Sequence, residues 1–390
     1  MPRIKVLIVA FSDSIHTARW VAQLDRKKYE IHLFPSVPFR EIHSQLRDMT
    51  IWQWNRKEDD NEKGLIFRNP SFTYRTIEKG LGSSLMQKIA TRFKRWQLIS
   101  LRRTIRLFRP DIIHSLETQK GGYLVSKTMK RNHELKWAHS TWGIDLQYFQ
   151  SFPDHKVKLE RLMSRINILI SEGMRDINLA HDLGYKGKSL IIPSVGGSMD
   201  FDFFDSLDAG LATSLRKKII LKGYEGEERL ASYSLNALRS IKDMLQGYEV
   251  IIFSCNKKLI PLVQAVQSGK EFVLKTIDNI EYGELLRLTS QSRISITNNL
   301  SDGVPNTMLE AMALGAFPIQ SNTAITEGWI ENGKNGLLTD PLNVKEIAKA
   351  ILQALQDDEL VNAAAQINRK LVRRELSREK IQTETEKIYN

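Results

Sequence analysis

The chain alternates short apolar runs with longer amphipathic ones, and the period of each run names the element it predicts. Residues 4–11, IKVLIVAF, are apolar almost without interruption, as in a strand covered on both faces of a parallel sheet. A polar loop over 12–15 follows, then a helix over 16–24 with Ala18, Val21, Ala22 and Leu24 at helical spacing, and a second strand over 31–34. This β-α-β opening predicts a doubly wound α/β domain. Further strands are predicted over 111–114, 136–140, 167–171 and 190–193, with a helix over 174–182 that Gly184 ends. From residue 218 the alternation starts again. Strands are predicted over 218–221, 250–254, 272–275, 294–297 and 316–319, and helices over 282–288, 308–314, 344–356 and 358–389. Residues 46–80 carry charges and scattered aromatics without a period and yield no assignment.

Two such series in 390 residues predict two domains, because single cores stop growing near about 250–300 residues. The boundary is expected near residue 200, where Gly196 and Gly197 permit unusual backbone angles and suit a hinge.

Composition narrows the class. At 42% hydrophobic and 26% charged, the chain reads as a soluble globular protein. It holds no apolar run of about 18 residues, so no membrane-spanning helix is expected. Its first residues read as a buried strand and not as a secretory signal. The single cysteine, Cys255, excludes an internal disulfide and a cysteine metal cluster, which favours the cytoplasm. No G-x-G-x-x-G follows the first strand, so a nicotinamide or flavin cofactor is not expected.

The net charge of +12 is compatible with nucleic acid, an anionic membrane face or acidic small molecules. Residues 86–109 carry eight Lys or Arg and no acid. The pattern predicts two helices meeting near Gln97, packed on the sheet with a solvated basic face. The alternative is a surface that sits on anionic lipid. A nucleic-acid surface lacks any recognition motif, and no nucleic-acid partner is expected.

Candidate chemistry concentrates at 301–322, SDGVPNTMLEAMALGAFPIQSN. Asp302, Gly303 and Pro305 make a turn, Asn306 caps a helix, and Gly315 stops it. A helix N-terminus offers N–H groups and a positive dipole end to a phosphate. Glu310, within a turn and a half, reaches toward a hydroxyl beside it. The alternative is an ordinary capped helix with solvated acids. Lys222, at the end of strand 218–221, and Arg229, on the helix expected after it, are read as cations pointing into a ligand crevice, or otherwise as solvated bases. His16, in S-x-H-x-x-R-W, is read as facing the crevice after the first strand, or otherwise as part of a helix start that buries Trp20.

The stretch 301–322 resembles the acidic-x7-Glu signature of retaining GT-B glycosyltransferases of family 4, roughly E-G-x-P-x-x-x-x-E-A-M-A-x-G-x-P. Gly303, Pro305, Asn306, Glu310, Ala311, Met312, Ala313, Gly315 and Pro318 fall in register, and Asp302 stands where the family usually has Glu. The resemblance implies an α/β, GT-B architecture of two Rossmann-like doubly wound domains facing a central cleft. Residues 1–198 would be the acceptor side, with a helix at about 375–390 packing back on them, and 199–374 would bind the donor. It implies transfer of a hexose-type sugar from a nucleotide-sugar to a cell-envelope glycan or lipid-linked acceptor, with retention of configuration.

Asp302, with the backbone of Gly303, Val304, Pro305 and Asn306, would hold the donor sugar, and Glu310 the nucleotide ribose. Lys222 and Arg229 would clamp the diphosphate, although the family form is nearer G-R-x-x-x-x-K. Asp302, Glu310 and Lys222 are the catalytic candidates. Residues 141–145, TWGID, match a family loop H-G-x-D with Gly143 and Asp145 kept and Trp142 in place of His. The sugar contact of that His is then lost, or supplied by His139 or by Trp142, whose alternative is a buried strand-end role. His16, His139, Trp142 and Asp145 are the acceptor-side candidates. No cofactor is implied beyond the nucleotide-sugar co-substrate, and no metal, since fixed cations do the neutralising. The expected location is the cytoplasm, with 86–109 offering a hold on the inner face of the membrane. Two alternatives are a non-catalytic sugar-nucleotide or membrane-surface binding protein, and another GT-B enzyme such as an epimerase or phosphorylase.

Overall fold

The computed structural model describes residues 2–54, 59–70, 94–129, 134–192, 197–208, 210–269 and 272–389. Residues 86–93 of the basic stretch, and Gly196 of the expected hinge, lie outside the described residues. The chain forms two compact units, 1–198 with 378–390, and 199–377.

The first unit is built on an eight-stranded sheet. Its strands are β1 (Ile4–Ala10), β2 (Tyr29–Pro35), β3 (Met49–Trp52), β4 (Leu65–Arg68), β5 (Ile112–Leu116), β6 (Lys136–Ser140), β7 (Ile168–Ser171) and β8 (Lys188–Ile191). They run parallel throughout, in the order β4-β3-β2-β1-β5-β6-β7-β8. Val6, Leu7, Ile8, Val9 and Ala10 are fully buried, as an unbroken apolar run requires of a central parallel strand. Val6, Leu7, Ile8 and Val9 each contribute about 1.5–3 kcal/mol by leaving water.

The helices of this unit are α1 (Ile15–Ala22), α2 (Lys94–Phe108), α3 (Tyr123–Thr128), α4 (Pro153–Met163) and α5 (Met174–Asp182), with Arg378–Tyr389 completing it. That last helix is held from inside: the Tyr389 hydroxyl accepts from Trp20 Nε1 at 3.0 Å and lies 2.7 Å from His114 Nδ1, all three buried.

Two expectations are corrected here. The helix α2 crosses Gln97 unbroken, and Trp96, Leu98, Leu101, Ile105 and Phe108 all pack on one core. The described part of residues 46–80 holds two strands, β3 and β4, which pair with each other at the sheet edge. Both are set among charged residues, Arg47 and Asp48 before β3 and Arg68 at the end of β4, which break any longer apolar pattern.

The second unit carries a six-stranded parallel sheet of β9 (Lys218–Lys222), β10 (Glu249–Phe253), β11 (Val273–Ile277), β12 (Ser292–Thr297), β13 (Phe317–Ser321) and β14 (Leu337–Thr339). The order is β11-β10-β9-β12-β13-β14. Its helices are α6 (Phe201–Ser206), α7 (Ala231–Ser240), α8 (Ile260–Ser268), α9 (Tyr282–Ser290), α10 (Asn306–Leu314), α11 (Val344–Gln356) and α12 (Asp358–Glu375).

The single helix predicted over 358–389 is therefore two, α12 and α13 (Arg378–Tyr389). Leu376 turns out of helical geometry at φ −114° and ψ 19°, fully buried, and its carbonyl accepts from Met199 N at 3.2 Å. Gly197 adopts φ +99°, where a side chain would be strained.

Candidate active-site residues on the two units

In the second unit the sheet order reverses between β9 and β12, and open α/β sheets bind ligands outside the carboxyl ends of the strands at that point. Lys222 ends β9. The next residue, Gly223, has no room for a Cβ, which would lie 2.5 Å from Ile252 Cγ2, so the chain hugs β10 as it leaves the sheet. Residues 224–230 then fold on themselves: Glu225 pairs with Leu230, and Gly226 N donates to Arg229 O at 2.9 Å. Arg229 therefore lies in this loop, before α7, and not on the helix that the sequence pattern suggested.

The loop is stitched to the one after β12. Arg229 pairs with Asn299, Leu230 N donates to Asn298 O at 3.1 Å, and Leu300 N donates to Glu228 O at 2.9 Å. These backbone bonds bring Lys222, Arg229 and Asp302 together. Both cations lie within cation–π distance of the Tyr224 ring, Lys222 Nζ at 4.8 Å and Arg229 Cζ at 5.4 Å. Asp302 Oδ2 accepts from Asn299 Nδ2 at 2.9 Å and stands 4.0 Å from Arg229 Nη1, while Oδ1 accepts from Gly303 N at 3.0 Å. Loss of hydration pulls the Lys222 ammonium below the usual lysine value. Asp302 and Glu310 oppose that pull, and Arg229 adds to it.

The helix α10 starts at this loop. Pro305 takes its cap position in extended geometry, and Asn306 is the first helical residue, so the expected Asn306 cap is not formed. Gly315 ends the helix at φ +78°, as the sequence indicated. Glu310 is buried and accepts from the Tyr282 hydroxyl of α9 at 2.8 Å.

In the first unit the order reverses between β1 and β5. His16 sits in the first turn of α1, where its N–H donates to Ser14 Oγ at 3.2 Å. The His16 ring meets Trp142 edge-on at 5.4 Å, so these two candidates come together on a partly exposed face. The other two do not join them. His139 is fully buried, with Nδ1 2.8 Å from Ser115 Oγ and Nε2 3.0 Å from Thr118 Oγ1. Asp145 is also buried, and one oxygen accepts from Thr118 N at 2.9 Å, Thr118 Oγ1 at 2.9 Å and Trp142 N at 2.7 Å.

The acceptor-side candidates His139 and Asp145 are thus buried among protein partners. Their polar atoms hold the loop after β6 to the turn after β5. Burial, with the Glu117 charge beside it, pushes the Asp145 carboxyl well above the usual carboxylate range. Glu117 itself has φ +69° and accepts from Lys120 N at 2.9 Å and Gly121 N at 3.1 Å. A non-glycine residue in that region stores strain of order 1–3 kcal/mol.

Two family models match the chain, one on each unit. The model described as glycosyl transferases group 1 covers residues 217–371, and the one described as glycosyl transferase 4-like covers 5–172. The chain is a GT-B glycosyltransferase. No curated protein matches its sequence. Solved structures match the whole fold at low identity. Sucrose-phosphate synthase from Thermosynechococcus elongatus is 12% identical, with 99% of this chain and 98% of that chain covered at a TM-score of 0.71. HepE from Anabaena, solved with UDP-glucose, is 11% identical over 99% of both chains at 0.69. A glycosyltransferase from Rickettsia africae is 12% identical over 100% of this chain and 98% of that chain at 0.65.

Several residues at the glycosyltransferase's sheet reversals escaped the sequence reading. Asn299 and Tyr282, which hold the two candidate acids, carry no signal beyond an Asn-Asn turn and an exposed aromatic. Glu117 and Thr118 were visible only as polar residues ending a strand. Among the described residues no group of three His, Cys, Asp or Glu side chains is placed to hold a metal ion, and no helix is long and apolar enough to cross a membrane.

Proposed function

We propose that the enzyme transfers a hexose-type sugar from a nucleotide-sugar to a cell-envelope glycan or lipid-linked acceptor, with retention of configuration, in the manner of family 4. The donor binds residues 199–377, and the acceptor binds the first unit. The observation that carries this is the convergence of Lys222, Arg229, Asp302 and the start of α10 at the strand-order reversal of the second sheet. Two cations and a helix N-terminus suit a diphosphate that gains charge as the sugar leaves. Asp302 holds the sugar hydroxyls and Glu310 the ribose, each positioned by a neutral partner, Asn299 or Tyr282. In the first unit His16 and Trp142 supply an edge and a face for a sugar ring.

Fixed cations replace a metal in this reading, so turnover should persist in EDTA. HepE was solved with UDP-glucose, which makes uridine nucleotides the first donors to test. At 100 times its dissociation constant a ligand stabilises by about 2.7 kcal/mol, a melting shift of several degrees. One of UDP, GDP, ADP or dTDP should shift the wild type and not Lys222→Ala. No shift with any of them would sink the donor assignment.

The proposed workplace is the cytoplasmic face of a membrane. The outward side of α2 carries Arg95, Ile99, Arg102 and Arg106 at helical spacing, with Ile99 59% and Leu107 56% exposed. Apolar side chains among arginines suit an anionic bilayer surface. Sedimentation with anionic vesicles at low salt tests it, and failure to sediment removes the membrane part alone.

A further inference from the structure

The first unit contains a cavity of about 490 Å³ that none of the candidates above lines. Pockets for small molecules span about 300–1,000 Å³, so a sugar-sized group fits. It opens at the carboxyl end of the sheet, between the segment after β2, the turn after β5, and α2, α3 and α4. Gln97 Nε2 donates to Ser36 O at 2.7 Å and closes one side, while the Tyr123 hydroxyl lies 3.1 Å from His155 Nδ1 and closes another.

Among the described residues, three lysines and a histidine line this cavity, Lys120, Lys127, Lys158 and His155, and no Asp or Glu does. Lys158 Nζ stands 6.0 Å above the Tyr123 ring. Burial holds His155 below the usual imidazole value; Lys158 and Lys120 add to that effect and Asp154 opposes it. Three lysine ammonium groups around one cavity suit a phosphate, which carries close to two negative charges and several acceptor oxygens. The apolar part of the lining, Leu98 and Leu124, is suited to the carbon face of the group that bears the phosphate.

We propose that this cavity is the acceptor-recognition site and that it takes a phosphate-bearing acceptor, with Lys120, Lys127 and Lys158 holding the phosphate and Tyr123 and His155 orienting the attached sugar. The proposal rests on the acceptor binding the first unit. The phosphate has two possible sources, a soluble sugar phosphate or a lipid headgroup.

The test is calorimetric titration of the full-length enzyme with inorganic phosphate, glucose 1-phosphate and glucose, with sedimentation on phosphatidic acid vesicles alongside. The proteins are wild type, Lys127→Gln/Lys158→Gln, and Lys186→Gln as a basic change outside both the cavity and α2. Nucleotide binding reports separately on the second unit. Glucose 1-phosphate should bind the wild type at least tenfold more tightly than the double variant and equally to Lys186→Gln, and glucose alone should not bind. Binding of the vesicles alone, lost in the double variant, supports the site with a lipid as its source. Equal affinity in wild type and double variant, equal loss in Lys186→Gln, or no binding of phosphate, sugar phosphate or vesicles overturns it. Retained phosphate binding without any nucleotide response would remove the donor reading and leave the cavity standing.

Discussion

The two sheets reverse their strand order in the same way and use polar residues there in opposite ways. In the second unit Lys222, Arg229 and Asp302 are partly exposed, and backbone bonds between two loops hold them in place. In the first unit His139, Asp145, Glu117 and Thr118 are buried and bonded to one another or to the backbone. One reversal presents charge, and the other uses it as internal bracing. In the same unit His16 and Trp142 are partly exposed, and so are lysines around the Lys120 cavity. A polar residue at a strand end is therefore left partly open to solvent in one domain and made a structural tie in the other, and burial separates the two.

The comparison can be broken most decisively at Lys222. Its replacement by Ala should lower kcat/KM by on the order of 10²–10³, the usual effect of removing one group that stabilises developing charge, with the melting temperature nearly unchanged. A large loss of stability with little loss of rate would make Lys222 a tie like Asp145.

Asp145→Ala should do the reverse. It strands three buried donors, Thr118 N, Thr118 Oγ1 and Trp142 N, and should cost about 2–4 kcal/mol in urea unfolding. Of the seven tryptophans only Trp329 lies within 199–377, so tryptophan fluorescence reads the first unit almost alone.

Acid should separate the units as well, because all eight histidines lie in the first. His32, stacked 3.5 Å from Phe108, has its pKa lowered by burial to about 4. Its folded value is below the unfolded one, so the unfolded chain takes up the proton first. The stability it contributes is full above about pH 6.5 and is lost as pH falls toward 4, by at most about 1.4 kcal/mol per pH unit. Wild type and His32→Gln should therefore converge in stability over that window. Parallel curves would contradict the assignment.

The smallest effect is expected at Tyr224. Removing the ring that Lys222 and Arg229 both approach with Tyr224→Ala should weaken nucleotide binding by about 0.5–1 kcal/mol, a few-fold change in Kd. An effect as large as that of Lys222→Ala would give the ring a direct part in binding.

The alternation of apolar runs was enough to read the central strands of both sheets and the restart near 218, because strands covered on both faces have few acceptable residues. The Gly315 stop was equally legible, since a left-handed cap selects glycine. What failed has physical causes. Strands β3 and β4 are set among charged residues that break any longer apolar pattern, and the break at Leu376 depends on a carbonyl shared with Met199, far away in the chain. Arg229 looked helical because propensity cannot register that 224–230 pairs with 298–300. The burial of His139 and Asp145 depends on Ser115, Thr118 and Glu117, which lie about two dozen residues upstream and meet them only when the sheet assembles. The Lys120 cavity draws on five separate segments, and no local pattern unites them.

The Tyr389 anchor has a consequence for how the chain is made. Residues 199–377 form a continuous unit, whereas the first unit needs residues 378–389 to surround Trp20 and His114. On the ribosome, domains generally fold as units in the order of synthesis. Here the domain that is begun first is finished last. Its hydrophobic floor stays open while the whole of the other domain is translated, so the later domain can reach its native state before the earlier one does.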